Sequence, residues 1–209
     1  MRAKNLLILI VALLATAPTV CADTTTYKLD PAHSTVGFAV KHLTVSTVRG
    51  QFGEFTGEFN VDEKDLTKSS FEVHIKTASV NTQNERRDND LRSTNFFDAA
   101  NNPEIVFKSK RIEKKGEGYV AIGDLTIRGV TKEVALPFTL AGPINGPGGL
   151  PRYGVEATTT INRQDYGVSW NRSLDGGGLV VSDEVRIEIN GELFKAPPPK
   201  PAERQTPKP

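Results

Sequence analysis

The sequence predicts an all-β protein in which about eight antiparallel strands close into a barrel, with one short helix between strands. Apolar and polar residues alternate along most of the chain from residue 24 to residue 194, and this period of two is typical of strands with one buried face. Helix signal is confined to residues 82–98. Eight strands favour a barrel wide enough to hold one small or slender ligand.

Rows of apolar residues at every second position define the strands. The clearest rows are Val36, Phe38 and Val40; Phe71, Val73 and Ile75; Val134, Leu136, Phe138 and Leu140; and Val185, Ile187 and Ile189. Further strands are expected near residues 47–61, 105–112, 119–127 and 153–161, with a short opening strand around Tyr27. One face of each strand should therefore be buried.

Glycines mark the expected turns and bends. Arg128 and Gly129 lie between two apolar runs and predict a tight hairpin turn. Glycines also lie within strand patterns at positions 37, 50, 53, 57 and 123, where they permit bulges or sharp bends and favour a curved sheet over a flat sandwich. The stretch 142–154, rich in glycine and proline, predicts a long surface loop.

Residues 82–98 interrupt the strands with a short charged helix. Thr82 followed by Glu85 has the spacing of a capping box, so the helix is expected to start there. Two oppositely charged pairs at i,i+4 spacing support its solvated face. These pairs are Asp88 with Arg92 and Arg86 with Asp90.

Leu91, Phe96 and Phe97 give the same segment an apolar side. Two interpretations are open. The segment is either a surface helix pinned by a hydrophobic plug, or a plug that closes one end of a barrel whose interior holds a ligand.

The chain divides into three parts. Residues 1–22 have the positive start, apolar run and small-residue end of a signal peptide, residues 23–195 form the barrel domain, and residues 196–209 are a proline-rich tail expected to be extended and disordered. Cleavage after Ala22 removes Cys21, the single cysteine, so core packing must stabilise the exported domain without disulfides. We expect a periplasmic protein with no transmembrane segment in its mature form.

Charge argues against nucleic acid as a partner. The chain has 26 Lys and Arg against 25 Asp and Glu, interleaved along its length. No basic stripe is available for phosphates. A homodimer is compatible with the sequence.

No pattern of catalytic residues is present, and the sequence predicts a non-enzymatic protein with no cofactor and no metal. His33, His42 and His74 are the three histidines. His33 and His42 could together ligate a metal, but they lack the compact spacing of a zinc site. His74 shares the polar side of its strand, and His42 shares the parity of Phe38 and Val40 and is expected at the barrel mouth.

Residues 161–167 end a strand and enter a loop that holds Trp170, the single tryptophan. In a structural interpretation, Arg163 bridges to Asp165 while Tyr166 and Trp170 cover an open barrel end. In a functional interpretation, Tyr166 or Trp170 contacts the bound ligand. The two are compatible.

Five segments together resemble the YceI family. They are D-P-A-H-S-T-V-G-F (residues 30–38), V-R-G-Q-F (48–52), R-D-N-D-L-R-S-T-N-F-F-D (87–98), G-D-L-T-I-R-G-V-T-K (123–132) and I-N-R-Q-D-Y-G (161–167). Their order and spacing hold from about residue 24 to residue 194. Two positions depart from the family pattern: Asp90 replaces a common His, and Asn95 replaces a usual Asp.

The resemblance implies an extended, eight-stranded, antiparallel, lipocalin-like barrel that binds a polyisoprenoid or similar long-chain amphiphile in its lumen. Family members are typically exported bacterial proteins linked to stress or isoprenoid handling. The residues expected to contact the ligand are Phe38, Val40, His42, Phe71, Val73, Ile75, Phe96, Phe97, Ile105, Phe107, Leu136, Phe138, Tyr166 and Trp170.

Two alternatives remain at this stage. A barrel filled by its own side chains could act as a periplasmic stress or protein-interaction module without a lipid. An enzyme acting on a lipid-like substrate would need a polar cluster at the mouth, for which the sequence offers Asp30, His33, His42 and Arg163.

Overall fold

A computed structural model describes residues 24–173 and 178–196. The expected signal peptide and the proline-rich tail beyond Ala196 lie outside these residues. The described part contains β1 (Thr25–Leu29), β2 (Thr35–His42), β3 (Ser46–Phe52), β4 (Phe55–Val61), β5 (Ser70–Lys76), β6 (Val80–Asn81), α1 (Glu85–Arg92), β7 (Glu104–Lys115), β8 (Gly118–Ile127), β9 (Val130–Asn145), β10 (Pro151–Asn162) and β11 (Val181–Lys195).

The eleven strand segments correspond to eight strands of the barrel, because three of the eight are each interrupted once and therefore consist of two segments. The first interrupted strand consists of β1 and β2, which pair one after the other with β11. The second consists of β3 and β4, separated by residues 53–54, and the third consists of β5 and β6, separated by Thr77–Ser79. Neighbours in sequence pair antiparallel, and β11 pairs back with β1 at Tyr27 and Lys195. This arrangement is a closed eight-stranded antiparallel barrel with one short helix, so the predicted fold class is confirmed.

Two of the interruptions lie side by side and open a gap in the wall. The N–H of Gly53 donates to the carbonyl of Ser79 at 3.0 Å, which aligns the bends of adjacent strands. Beyond the bend, β6 pairs with β3, whereas β7 begins at Glu104 and pairs with β5. One edge of β6 is therefore left without a strand, and α1 packs there.

The helix starts later than the sequence predicts. Asn84, rather than Thr82, is its N-cap and accepts from the N–H of Arg87 at 3.0 Å. Thr82 is instead buried, and both its N–H and its hydroxyl donate to Asp88. The expected Asp88–Arg92 pair was wrong because Asp88 turns inward to satisfy this buried backbone group.

The predicted loop at residues 142–154 was also wrong. β9 continues through Asn145 and β10 begins at Pro151, so only residues 146–150 connect them. The two strands stay paired at Pro151 and Asn145. Backbone pairing therefore overrides the composition of this stretch. By contrast, the Arg128–Gly129 hairpin is confirmed, with positive φ at both residues and pairing of Ile127 with Val130.

Gly123 allows close approach of two strands. A Cβ at this position would lie 2.4 Å from the carbonyl oxygen of Lys108 and 2.9 Å from the Cα of Ser109. The facing strand β7 has a register shift between Ser109 and Arg111 at this point. The predicted role of Gly123 at a bulge is therefore supported by the geometry.

We expect Gly123→Ala to lower the free energy of unfolding by about 1–3 kcal/mol, because the added methyl group meets backbone atoms that cannot move freely. Gly154→Ala is the matched control, since its Cβ would meet only the side chain of Ala141, at 3.9 Å. Urea denaturation of both variants measures the difference. Equal stabilities would contradict the assigned role of Gly123.

Candidate ligand-binding cavity

An apolar cavity of about 220 Å³ runs along the inside of the barrel. All eight strands contribute to its wall, as do Leu91, Phe96 and Phe97 from the helix segment. The wall extends from Val61 and Leu66 at one end to Tyr166 and Val181 at the other. This wall is almost entirely apolar, which is typical of a site for an apolar ligand.

The protein's own side chains do not fill the interior. Inward-facing residues such as Phe38, Val73 and Phe138 are packed against the core but remain only half-buried. In a close-packed core, apolar side chains at such positions would have almost no accessible surface. The surface that these residues retain borders the lumen.

Twelve of the fourteen residues that the sequence assigned to ligand contact lie on this wall. They are Phe38, Val40, Phe71, Val73, Ile75, Phe96, Phe97, Ile105, Phe107, Leu136, Phe138 and Tyr166. His42 lies outside the wall at the end of β2, paired with Ser46 and Val181. Trp170 is 38% exposed and covers Phe96 from outside, with ring centroids 5.4 Å apart. Contact of any of these residues with a ligand remains a prediction.

Sequence reasoning missed the part of the wall formed by β10 and β11. These residues are Val155, Ala157, Thr159, Ile161, Val185, Ile187, Ile189 and Leu193. The alternation of the β11 row was visible in the sequence and would have identified Val185, Ile187 and Ile189, whereas β10 was expected only as a strand over residues 153–161. The sequence pattern did not show which face of these strands points towards the lumen.

Guanidinium groups complete the unpaired edge of β6. Arg92 donates to the carbonyls of Ala78 and Val80, each at 2.7 Å, and Arg87 donates to the carbonyl of Thr82 at 2.8 Å. These are alternate carbonyls, as on the free edge of a strand. The two arginines therefore take the place of a neighbouring strand and hold α1 against the gap.

Arg128 connects three loops at one end of the barrel by hydrogen bonds. Its guanidinium donates to the carbonyls of Thr94 at 2.9 Å, Phe96 at 2.7 Å and Gly167 at 3.0 Å. The hairpin between β8 and β9 is thereby tied both to the residues after α1 and to the turn after β10. This end of the barrel, formed by the α1 segment and these loops, is called the closed end.

Arg163 is buried at the closed end, and burial lowers the pKa of its guanidinium, an effect that Asp183 opposes. The predicted bridge to Asp165 was wrong, since the ion pair is with Asp183 at 3.1 Å. Arg163 bonds to the first residues of β11. There β11 has two more residues than the facing part of β2, so the register between the two strands shifts. Its five donations go to the carbonyls of Ser182, Val168, Trp170 and Val181 and to the Asp183 carboxylate.

Aromatic rings seal the closed end. Phe97 packs on Phe52 with ring centroids 5.9 Å apart, and Tyr166 is 2% exposed. The two departures from the family pattern meet here, because the Asn95 amide donates to Asp90 at 2.8 Å.

The group of residues that could hold a metal ion is not part of the cavity wall. Asp30, His33 and Glu192 have ligand atoms within 4.8 Å of one another, the one such group in residues 24–173 and 178–196. Arg152 already forms ion pairs with both carboxylates, so the cluster is an ion-pair network at the β1–β2 corner. His74 lies on the outer face, as predicted, where Glu104 and Glu72 raise its pKa.

Arg128→Met should lower the free energy of unfolding by about 2 kcal/mol, because three carbonyls lose a charged donor while the aliphatic stem is kept. Arg111→Met is the control, since Arg111 forms an exposed pair with Glu113 and the expected change is about 0.5 kcal/mol or less. Urea denaturation gives the stabilities. Hydrogen exchange at Phe96 and Phe97 should accelerate in Arg128→Met alone. Unchanged exchange at both positions would contradict the bracing role.

In the described part of the chain, the structure contains no helix with the length and hydrophobicity of a membrane span.

Among solved structures, BcnA of Burkholderia cenocepacia matches with a TM-score of 0.69 and 25% identity, over 78% of this chain and 98% of that one. A polyisoprenoid binding domain from Saccharophagus degradans, implicated in plant cell wall breakdown, matches with a TM-score of 0.58 over 82% of this chain and 99% of that one. Its 16% identity makes this a likeness of fold.

The sequence itself is also similar to known proteins. A UPF0312 protein of Serratia proteamaculans is 40% identical over 185 residues, which cover 88% of this chain and 93% of that protein. The family model for the YceI-like domain matches residues 27–193, nearly the whole described barrel. The chain therefore belongs to the YceI-like domain family.

Proposed function

We propose that the protein binds a long-chain isoprenoid or a similar amphiphilic lipid in the barrel lumen and catalyses no reaction on it. The observation that carries this proposal is the apolar cavity that runs from Leu66 to Tyr166 and is left unfilled. Among the residues that the structure describes, Arg163 is the one charged residue of the wall, and it is paired with Asp183. Such a lumen favours a guest whose buried part is hydrocarbon.

Burial of apolar surface supplies enough free energy for this function. Each methylene group moved from water into an apolar channel is favourable by about 0.8 kcal/mol, so one isoprene unit contributes about 3–4 kcal/mol before ordering costs. Association and ordering cost several kcal/mol or more. A ligand of a few isoprene units is therefore the shortest that should bind tightly.

The comparisons support the proposal at the level of the family. The structural neighbour from Saccharophagus degradans is described as a polyisoprenoid binding domain. Its likeness concerns the fold, so the ligand class for this chain rests on the cavity. The length and width of the lumen, rather than polar contacts, should determine which lipid binds.

We also propose export to the periplasm, with the lipid carried or stored there or used in a stress response. The support is the signal-peptide pattern of residues 1–22. Native mass spectrometry of the protein purified from its own periplasm, followed by organic extraction and lipid identification, tests both location and ligand. Recovery without any co-purifying lipid would count against the proposal.

The two alternatives make different demands on the interior. A filled-barrel interaction module needs side chains that occupy the lumen, whereas Phe38, Val73 and Phe138 retain accessible surface inside it. A lipid-acting enzyme needs polar groups at the mouth that are free to react. Arg163 and Asp30 are instead engaged in ion pairs, with Asp183 and Arg152 respectively.

Phe138→Asp should abolish retention of the extracted lipid, because a carboxylate at the centre of an apolar wall must be desolvated when the chain enters. Thr139→Asp is the matched control, since Thr139 is the exposed neighbour on the same strand. Native mass spectrometry measures loading, and circular dichroism verifies folding. Unchanged loading of folded Phe138→Asp would contradict the assignment of the lumen.

Val185→Phe tests whether the lumen is empty while keeping it apolar. Val185 lines the cavity and is half-buried, so the larger ring should occupy lumen space, reduce lipid loading and leave the stability of the lipid-free protein nearly unchanged. A filled barrel would instead lose about 1–3 kcal/mol by overpacking. Urea denaturation after delipidation separates the two outcomes.

A further inference from the structure

The buried guanidinium of Arg163 at the closed end is not available to the polar end of a ligand. A guanidinium has five N–H donors, and the five donations of Arg163 to Ser182, Val168, Trp170, Val181 and Asp183 use all of them. Around it, the wall consists of Phe96, Phe97 and Tyr166 together with aliphatic side chains. A hydroxyl, carboxylate or phosphate placed against this guanidinium would find no free N–H donor, and burying such a group unpaired is costly.

The opposite end is closed by a short turn, residues 62–69, called here the mouth segment. It is braced largely by its own hydrogen bonds, because Asp62 accepts from the N–H groups of Lys64 and Asp65, each at 3.0 Å. The N–H of Asp62 in turn donates to the Ser69 hydroxyl at 2.9 Å.

Leu66 carries the contact of the mouth segment with the lumen. Its side chain lines the cavity and is half-buried. The hydroxyl of Tyr27 joins the mouth segment to the barrel, because it donates a hydrogen bond to Glu63 at 2.7 Å. The closed end, by comparison, is fixed by the guanidinium groups of Arg87, Arg92, Arg128 and Arg163.

The cavity wall also meets solvent beside the mouth segment. Ser69 and Ser70 belong to the wall, and Ser70 is the one exposed residue among those that line the cavity in the described part of the chain. Just inside, Phe71 and Phe138 face each other across the lumen, with ring centroids 6.3 Å apart and planes at 77°. These rings come from β5 and β9, which are not neighbouring strands.

We infer that the bound chain enters and leaves past Leu66 and Ser70, with its polar end in solvent at the mouth segment and its hydrocarbon end against Phe96 and Phe97. This orientation rests on the proposed lipid-binding function. It places the hydrocarbon end beside a guanidinium whose five donors are already engaged and the polar end where water reaches the wall. The lumen therefore selects the chain, and the identity of the polar end has little influence on binding.

Trp170 reports the orientation directly, since it is the single tryptophan and packs against Phe96 at the closed end. Bromine quenches tryptophan fluorescence over short distances and is about the size of a methyl group. Two forms of geranylgeraniol serve as probes, one brominated at its hydrocarbon end and one beside its hydroxyl. Native mass spectrometry first establishes that each probe binds the full-length protein.

The hydrocarbon-end bromine should quench Trp170 severalfold more than the hydroxyl-end bromine. Stronger quenching by the hydroxyl-end probe, or equal quenching by both, would overturn the orientation while leaving lipid binding intact. Failure of both probes to bind would overturn the proposed function, and the orientation with it.

The entrance is tested by the rate of release to lipid vesicles, followed as recovery of Trp170 fluorescence. Leu66→Ala should release the hydrocarbon-end probe severalfold faster, because the side chain that blocks the exit is shortened. Leu150→Ala and Leu179→Ala are matched controls, since both leucines are exposed in loops outside the cavity wall, Leu179 at the closed end. Both should release the probe at the wild-type rate.

Tyr27→Phe provides a second test that keeps the buried ring and removes only the hydroxyl bound to Glu63. It should also accelerate release. Acceleration by Leu179→Ala, with Leu66→Ala and Tyr27→Phe at the wild-type rate, would place the exit at the closed end and overturn the inference.

Discussion

The architecture depends on arginine side chains that donate to backbone carbonyls where the barrel wall is incomplete. Eight strands can close fully only if each has two neighbours, yet β6 has a strand on one side alone. Unpaired carbonyls at a buried edge are costly. Arg87 and Arg92 satisfy them from the helix, so α1 can seal the wall without itself being a strand.

This way of closing the barrel leaves the lumen empty. The closing groups are long side chains that bond to the rim, and aromatic rings cover the end from Phe96 to Trp170. The apolar rows of the strands are therefore not required to meet at the centre. A protein interior is normally packed densely, and the half-buried inward residues are the feature on which the proposed lipid binding rests.

The segments that resemble the YceI family acquire a physical meaning from these contacts. Arg92, Arg128 and Arg163 come from three separate segments, and all three fasten the same end of the barrel. In a fourth segment, residues 48–52, Gly50 lies close to neighbouring side chains, since a Cβ there would come within 2.4 Å of the ring of Phe38 and 2.8 Å of Thr82. These residues thus help to seal one end of the barrel.

The sequence by itself determined the strand rows, the hairpin at Arg128–Gly129 and part of the cavity wall, because alternation is a local property that burial of one face imposes. It could not determine the partners of Asp88 and Arg163, since a carboxylate or guanidinium bonds to whichever group the fold leaves unsatisfied nearby. It also missed the extension of β9 and β10 through residues rich in glycine and proline, where pairing between strands decides. Only the tertiary structure decided that the apolar rows surround a space instead of filling it, because that depends on how eight strands are spaced around a common axis.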